Sequence, residues 1–388
     1  MMRRLESLDL KDKRVLLRVD FNVPLSHGNI SDDTRIRAVV PTVRYILDQG
    51  AKSIFLMSHL GRPKGKDPHL TLSPCAERLS TLLGQPVAMA PDCIGPDVEK
   101  MDQKIIMLEN LRFYEGEENP EKDPEFVKSL ARLGDVYIND AFGAAHRAHG
   151  SITSIVPFFG KNVAAGFLMA KEVEHLSSLL ENPKKPFYAI IGGAKVSSKI
   201  GVIESLLKRV DRIYLGGGLA FPFLQAQGID LGASKVSSNE EDLARKILAK
   251  TKSIRLPVDL SLGDGFHETK NRRVAPVQEG IPTGWFGLDL GPSTIEAWSR
   301  EMQNGQTVFW NGPLGVFEFP SFAKGTFAIA EALAASSASV TIGGGDSLAA
   351  IEQMGLSNRF AYLSTGGGAS LEFLEHEGHL PGIDLLCT

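Results

Sequence analysis

Residues 187–200 read FYAIIGGAKVSSKI. The run 187–191 is apolar and β-prone, it stops at Gly192-Gly193, and a helical pattern starts near Lys195. A buried strand, a tight turn and a helix start, in that order, present backbone N–H groups and the positive end of a helix dipole to an anion. Lys195 and Lys199 are four residues apart and share one face of such a helix. Two adjacent ammonium groups repel, so the pair makes sense beside a counter-charge. A solvated face flanking a left-handed turn is the other reading, and this stretch alone leaves both open.

Moving outward, the same junction recurs. Apolar runs at 211–215, 307–310, 339–342 and 361–364 end in Gly216-Gly217-Gly218, Asn311-Gly312-Pro313-Leu314-Gly315, Gly343-Gly344-Gly345-Asp346-Ser347 and Thr365-Gly366-Gly367-Gly368. A further strand is expected over 253–258 and a helix over 348–354. Glycine clusters at strand ends let a phosphate chain lie against bare backbone. Asp346, at a helix start, is a carboxylate able to hold Mg²⁺ at a polyphosphate; its alternative is a helix-capping aspartate. Glu318 either accepts from ribose hydroxyls or is solvated surface.

Strand and helix patterns alternate before this region as well. Strands are expected at 14–19, 53–57, 104–108 and 135–138, with helices at 34–48 and 73–83. The alternation predicts a parallel sheet with helices on both faces, and such sheets bind ligands outside the carboxyl ends of their strands. The polar residues following those strands are Asp20, Asn22, His59, Arg62, Arg112 and Arg147, with Arg35 at the start of the first helix. Singly each has an ordinary alternative, such as a surface ion pair or a turn histidine. Together at one sheet edge they suit a small, highly anionic ligand, because guanidinium forks match carboxylate and phosphate oxygens. The amphipathic run 167–181 near the midpoint reads as a long helix linking two domains.

The chain has 388 residues, 43% of them hydrophobic, enough for two cores. Its 39 glycines gather after apolar runs, as turn and close-approach residues do. A net charge of −4 offers no general attraction to nucleic acid or acidic membrane. Three scattered cysteines (Cys75, Cys93, Cys387), without CxxC spacing, argue for a reducing compartment and against a zinc site. With no apolar leader and no long apolar run, a cytoplasmic protein is expected. The P-loop GxxxxGK[ST], the dinucleotide GxGxxG, the protein-kinase HRD and DFG and the HExxH motif are all missing.

The motifs RVDFNVPL (18–25), SHLGRP (58–63), LENLRF (108–113), NDAFGAAHRAH (139–149), GGAKVSSK (192–199), GGGLAF (216–221), NGPLGVFE (311–318), GGGDS (343–347) and STGGGASLEFLE (364–375) closely resemble those of phosphoglycerate kinases, in order and spacing, over essentially the whole chain. Gly150, where the family more often has alanine, and Ser293, where it often has lysine, are small departures. The resemblance implies two doubly wound parallel-sheet domains (Rossmann-like, three-layer α/β/α) joined by a long helix, with the C-terminal segment returning to the first domain. Residues 1–165 with about 375–388 would bind phosphoglycerate, and residues 166–374 the nucleotide. It implies a monomer that transfers the acyl phosphate of 1,3-bisphosphoglycerate to MgADP, giving 3-phosphoglycerate and MgATP. Phosphoglycerate contacts would then fall on Asp20, Phe21, Asn22, Arg35, His59, Leu60, Gly61, Arg62, Arg112 and Arg147. The nucleotide would fall on Gly193, Lys195, Lys199, Gly217, Asn311, Pro313, Glu318, Gly344, Gly345, Asp346 and Ser347, with Asp346 on the metal. Arg35 and Lys195 are cast as transition-state stabilisers, assisted by Lys199 and the backbone at Gly344-Gly345. Reacting atoms on two domains must come to about 3–3.5 Å, which predicts a hinge closure that excludes water. A dehydrogenase on a similar fold, or a scaffold that binds nucleotide without catalysis, are the rival readings.

Overall fold

A computed structural model describes residues 2–194, 196–234 and 236–387. The chain divides into two compact units, one made of the residues up to Glu174 together with those from His379, the other of His175–Gly378.

The first unit is built on strands β1 (Arg14–Arg18), β2 (Ser53–Met57), β3 (Ala88–Met89), β4 (Ile105–Met107), β5 (Val136–Asn139) and β6 (Val163–Ala165). They form one parallel sheet in the order β3-β4-β2-β1-β5-β6. β2 is buried at every position, as a strand covered on both faces must be. Helices α1 (Thr34–Asp48) and α2 (Ser73–Leu83), both spanning the residues expected, supply part of that cover, and α3 (Pro124–Ala131) precedes β5. On α1, Ile36, Val39, Val43 and Ile46 recur at helical spacing and meet Val15, Leu17, Ile54 and Leu56 of the sheet. Each such fully buried side chain stabilises the fold by about 1.5–3 kcal/mol.

Helix α4 (Phe167–Glu181) carries the chain into the second unit. Its start is fixed by the first unit: Phe167 N–H donates to Thr42 Oγ1 at 3.1 Å and Met169 N–H to Asp140 Oδ1 at 2.9 Å. Phe167 and Leu168 also pack on the first core. The division therefore falls inside the helix, at 174/175, rather than before it at 165/166. The last residues return to the first unit, where Arg3 N–H donates to Leu386 O at 2.9 Å and Gly382 N–H to Ala145 O at 2.8 Å. The return begins at His379 and not near 375, because Glu375 lies against Gly201 and Gly378 N–H closes on Phe373 O, both in the second unit.

The second unit contains β7 (Phe187–Ile191), β8 (Arg212–Leu215), β9 (Ile254–Arg255), β10 (Asp259–Gly263), β11 (Arg272–Pro276), β12 (Phe286–Leu290), β13 (Thr307–Asn311), β14 (Ser339–Gly343) and β15 (Tyr362–Ser364). Six of them make a parallel sheet, β9-β8-β7-β13-β14-β15. The chain runs outward from β7 on one side and then restarts at β13 on the other. That reversal opens a crevice at the carboxyl ends of β7 and β13, where doubly wound sheets take ligands.

The second unit departs from expectation in three places. The strand read over 253–258 is only the two residues of β9, and a separate antiparallel sheet, β11-β10-β12, follows it. β11 reads RRVAP and is mostly exposed, so it carries no apolar signal. Helix α5 (Ile200–Leu207) begins at Ile200, not near 195. Val196 is buried instead, Lys199 N–H closes a turn on Val196 O at 2.8 Å, and Lys199 is a non-helical cap residue with φ −129°. Lys199 is thus no helix-face residue, and Lys195, expected beside it, lies outside the described residues. Among the later helices α6 (Ser238–Lys250), α7 (Pro292–Met302), α8 (Lys324–Ala334), α9 (Gly345–Gln353) and α10 (Gly368–Glu375), α9 starts three residues earlier than the expected 348. Its cap is Gly344, at φ +94°, a conformation only glycine adopts freely, so Asp346 stands in the first turn and is not the cap.

Candidate functional site

Each unit carries one candidate ligand site at the carboxyl edge of its parallel sheet. In the first, the loop after β1 and the loop after β2 are laced together. Phe21 N–H donates to Ser58 Oγ at 2.8 Å, and Gly61 N–H to Asn22 Oδ1 at 2.9 Å. Asn110, fully buried, accepts from Leu60 N–H at 3.1 Å and donates to Leu60 O at 2.8 Å. On this frame Arg35 Nη1 reaches Asp20 Oδ2 at 2.9 Å and the Asn22 carbonyl at 3.2 Å. Arg112 donates through Nη1 to Gly61 O at 2.6 Å and pairs with Glu118 at 3.0 Å. Burial lowers the Arg112 pKa, and Arg147 and Arg18 push the same way against Glu118.

His59 is buried in this group. Burial, reinforced by the charges of Arg18, Arg112, His149 and Arg147, holds its imidazole well below the usual range, so at neutral pH the ring is uncharged. Arg147 is near enough for its charge to act on both His59 and Arg112, and its Nε donates to His146 Nε2 at 3.1 Å. The structure thus gathers Asp20, Asn22, Arg35, His59, Gly61, Arg112 and Arg147 into one connected cluster. Arg62 follows Gly61 with its side chain exposed. Phe21 and Leu60 are buried in the core, and their N–H groups are taken by Ser58 Oγ and Asn110 Oδ1, so the two residues expected to touch the ligand serve the frame instead.

Arg18 belongs to the cluster and the sequence reading passed over it. It is the last residue of β1, its side chain is fully buried, and its Nη2 lies 3.2 Å from His59 Nδ1. A cation inside an apolar strand was the available signal, because such a residue is never buried without partners. Gly150, one of the departures from the family pattern, is explained by packing: a Cβ there would stand 2.6 Å from the Gly116 carbonyl oxygen.

In the second unit the loops after β7, β8, β13 and β14 meet. A Cβ on Gly192 would come within 2.0 Å of Pro313 O, and one on Gly217, at φ +61°, within 3.1 Å of Gly193 O. Glycine is what lets these strand ends touch. They line a cavity of about 440 Å³ with Gly193, Gly217, Phe221, Pro313, Glu318 and Asp346 on its walls. Lys199 Nζ donates to Gly192 O at 2.6 Å and to Asn311 Oδ1 at 2.9 Å. Burial pushes its pKa down to about 8, opposed by the Asp346 carboxylate. Gly312 N–H donates to Ser347 Oγ at 2.7 Å, tying the loop after β13 to α9.

Asn311 is buried, and its Nδ2 has no hydrogen-bond partner among the described residues. That amide lies beside Gly344, within 3.1 Å of where a Cβ would stand. A buried donor without an acceptor is costly unless a ligand oxygen completes it. Around Asp346, the described residues contain no group of three His, Cys, Asp or Glu able to enclose a metal. One carboxylate beside a phosphate site nevertheless fits Mg²⁺, which takes one or two carboxylates and completes its shell with phosphate oxygens and water. Among the described residues, no helix is long and apolar enough to cross a membrane.

Comparison with known proteins agrees with this geometry. The family model described as phosphoglycerate kinase matches residues 5–377. The chain is 51% identical to the cytosolic phosphoglycerate kinase of Nicotiana tabacum, covering 98% of this chain and 96% of that protein. A chloroplastic phosphoglycerate kinase of Arabidopsis thaliana is 50% identical over 98% of this chain and 81% of its own. Among solved structures, that of phosphoglycerate kinase from Coxiella burnetii superposes with a TM-score of 0.86 at 37% identity, over 100% of this chain and 99% of that one. The chain belongs to the phosphoglycerate kinase family.

Proposed function

We propose that the protein catalyses reversible transfer of a phosphoryl group from 1,3-bisphosphoglycerate to MgADP, yielding 3-phosphoglycerate and MgATP. The observation that carries this is the presence of two unlike sites in one chain: an arginine and histidine cluster suited to a small polyanion, and a glycine-lined crevice suited to a phosphate chain. The unit ending at Glu174 would hold the phosphoglycerate and the unit His175–Gly378 the nucleotide.

A terminal ADP phosphate oxygen attacks phosphorus, the bond from phosphorus to the acyl oxygen breaks, and the carboxylate leaves with its electron pair. No proton moves, so no general base is needed. The demand on the protein is alignment and neutralisation of charge on the transferring oxygens. Arg35 is the cation assigned to that charge in the first unit, and Lys199 with the N–H groups of Gly344-Gly345 in the second. Lys195, assigned the same role, lies outside the described residues. Asp346 would hold Mg²⁺, which when bound would supply positive charge against the nucleotide phosphates. The Asn311 amide would complete its hydrogen bond on a phosphate oxygen, and Glu318 would accept from the ribose. The two ligands must meet at about 3–3.5 Å in a water-excluding arrangement, since water would otherwise hydrolyse the acyl phosphate.

The protein is read as acting alone, as a cytoplasmic monomer, without nucleic acid or membrane. Supporting this are its modest net charge of −4 and its three unpaired cysteines. The test is a coupled assay with 3-phosphoglycerate and ATP, read as NADH oxidation by an added dehydrogenase. Turnover that requires both substrates and Mg²⁺ is expected. Its absence with folded protein overturns the reading.

A further inference from the structure

Glu117 lies in the one-turn helix Glu115–Glu118, one side chain removed from His59. Its carboxylate is fully buried and fully engaged. Oε1 accepts from Ser151 Oγ at 2.8 Å and Oε2 from Ser151 N–H at 3.0 Å, while Oε1 stands 3.6 Å from Arg18 Nη2 and 3.7 Å from His149 Nδ1. Burial would raise its pKa, but His149, Arg18 and Ser151 together hold it below the usual carboxylate range, so the group is an anion at neutral pH. Arg18 is equally enclosed. Its Nε donates to Ser151 Oγ at 2.7 Å, its Nη1 to the Val19 carbonyl, and its Nη2 faces His59 Nδ1 at 3.2 Å.

The direction of that last contact is settled by chemistry. A guanidinium has only donors, so Nδ1 of His59 must accept, and the ring proton must sit on Nε2. Without Glu117, Arg18 would be a buried charge lacking its counter-ion, which proteins do not leave in place. We propose that Glu117 is a positioning residue: acting through Arg18, it fixes His59 as the neutral tautomer with hydrogen on Nε2, a directional donor for an oxygen of the anionic substrate. Neutrality matters there, because Arg18, Arg112 and Arg147 already bring positive charge to the ring. A charged imidazole would add repulsion, whereas a neutral one adds a hydrogen bond of fixed direction. The identity of the substrate rests on the function proposed above; the tautomer does not.

The test uses nitrogen-15 correlation spectra of the histidine rings in the full-length, ligand-free protein at neutral pH. The His59 signals are assigned by their loss in His59→Gln. The expected pattern in the unaltered protein is a protonated Nε2 and an unprotonated Nδ1. In Glu117→Gln that pattern should change to a mixture of tautomers. In the coupled assay the KM for 3-phosphoglycerate should rise ~10-fold, the worth of one hydrogen bond to a charged group, with the KM for ATP unchanged. Ser151→Ala removes the hydroxyl bridging Glu117 and Arg18 but keeps both charges. It should shift both readouts the same way to a smaller extent, and it decides the matter if Glu117→Gln does not fold. A protonated Nδ1 in the unaltered protein overturns the proposal. So does an unchanged tautomer and KM in the folded variant. A tautomer that responds to Glu117 in a protein without kinase turnover would instead count against the proposed reaction alone.

Discussion

In the first unit most of the binding groups already have protein partners, with the buried Arg112 Nη2 an exception among the described residues, while in the second they wait. Arg35 rests on Asp20, Arg112 on Glu118 and the Gly61 carbonyl, and the N–H groups of Phe21, Leu60 and Gly61 on Ser58, Asn110 and Asn22. In the second, the Asn311 Nδ2 donor has no acceptor among the described residues, and the Lys199 ammonium is held by two neutral oxygens. The difference follows from the groups used. Arginines packed together repel, and carboxylates such as Asp20, Glu117 and Glu118 make the cluster tolerable before any ligand arrives. A crevice of glycine backbone carries little net charge, so one buried lysine and one unmatched amide remain tolerable. A polyanion entering the first unit takes over cations from carboxylates; one entering the second supplies charge and acceptors that are missing.

The largest effect should come from the side chain that must leave its carboxylate to act. Arg35→Ala is expected to lower kcat by ~10²–10³-fold, the typical worth of one preorganised stabiliser, without unfolding the protein. Circular dichroism together with the coupled assay measures both. A kcat near that of the unaltered enzyme would make Arg35 only the counter-ion of Asp20.

Lys199→Met should cost about 10–100-fold in kcat/KM for ATP, as expected for a charge-assisted hydrogen bond. It should also change the pH dependence. The free enzyme's lysine is charged below about 8, so kcat/KM for ATP should hold steady at lower pH and fall above it. In Lys199→Met that fall should vanish. Stability runs the other way. The folded pKa, about 8, lies below the ordinary lysine value of 10.5, so between them the unfolded chain binds more protons and this group's contribution to stability rises with pH. Removing the amine should therefore raise Tm most at neutral pH and progressively less toward pH 10.5. An unchanged pH profile would show that Lys199 does not titrate at the nucleotide site.

Two glycines of the second site give the smaller effects and separate close approach from mere loop composition. Gly192→Ala drives a Cβ to 2.0 Å from Pro313 O and should cost about 1–3 kcal/mol, with a weaker KM for ATP and an unchanged KM for 3-phosphoglycerate. Gly345→Ala meets nothing within 4 Å at an ordinary negative φ, so thermal denaturation should move by less than about 0.5 kcal/mol. Equal responses at the two positions would refute the packing reading of the crevice.

Much of this molecule is legible in its sequence. The runs at 53–57 and 187–191 became β2 and β7 at the same residues, and α1 and α2 took the spans their periodicity predicts. The polar residues after β1, β2 and β5 could be assigned to one edge because a parallel sheet places all its carboxyl ends there. Those inferences need only nearest-neighbour information: apolar period, turn residues and strand direction. The exposed strand β11 had no such signal, and α5 starts later than expected because Lys199 caps the helix instead of entering it, a difference the sequence pattern does not carry.

Hydrophobic pattern and glycine placement, both local properties, thus determined the two parallel sheets and where their binding edges lie. Tertiary structure alone decided which charges meet. Arg18 reaches Ser151 across 133 residues and Lys199 reaches Asn311 across 112. Such partners are set by the stacking of strands and the burial of the space between them, and chain order carries no trace of either. For the same reason the tautomer of His59 and the lowered pKa of Lys199 are properties of the packed interior, where the loss of water makes each neighbour's charge count.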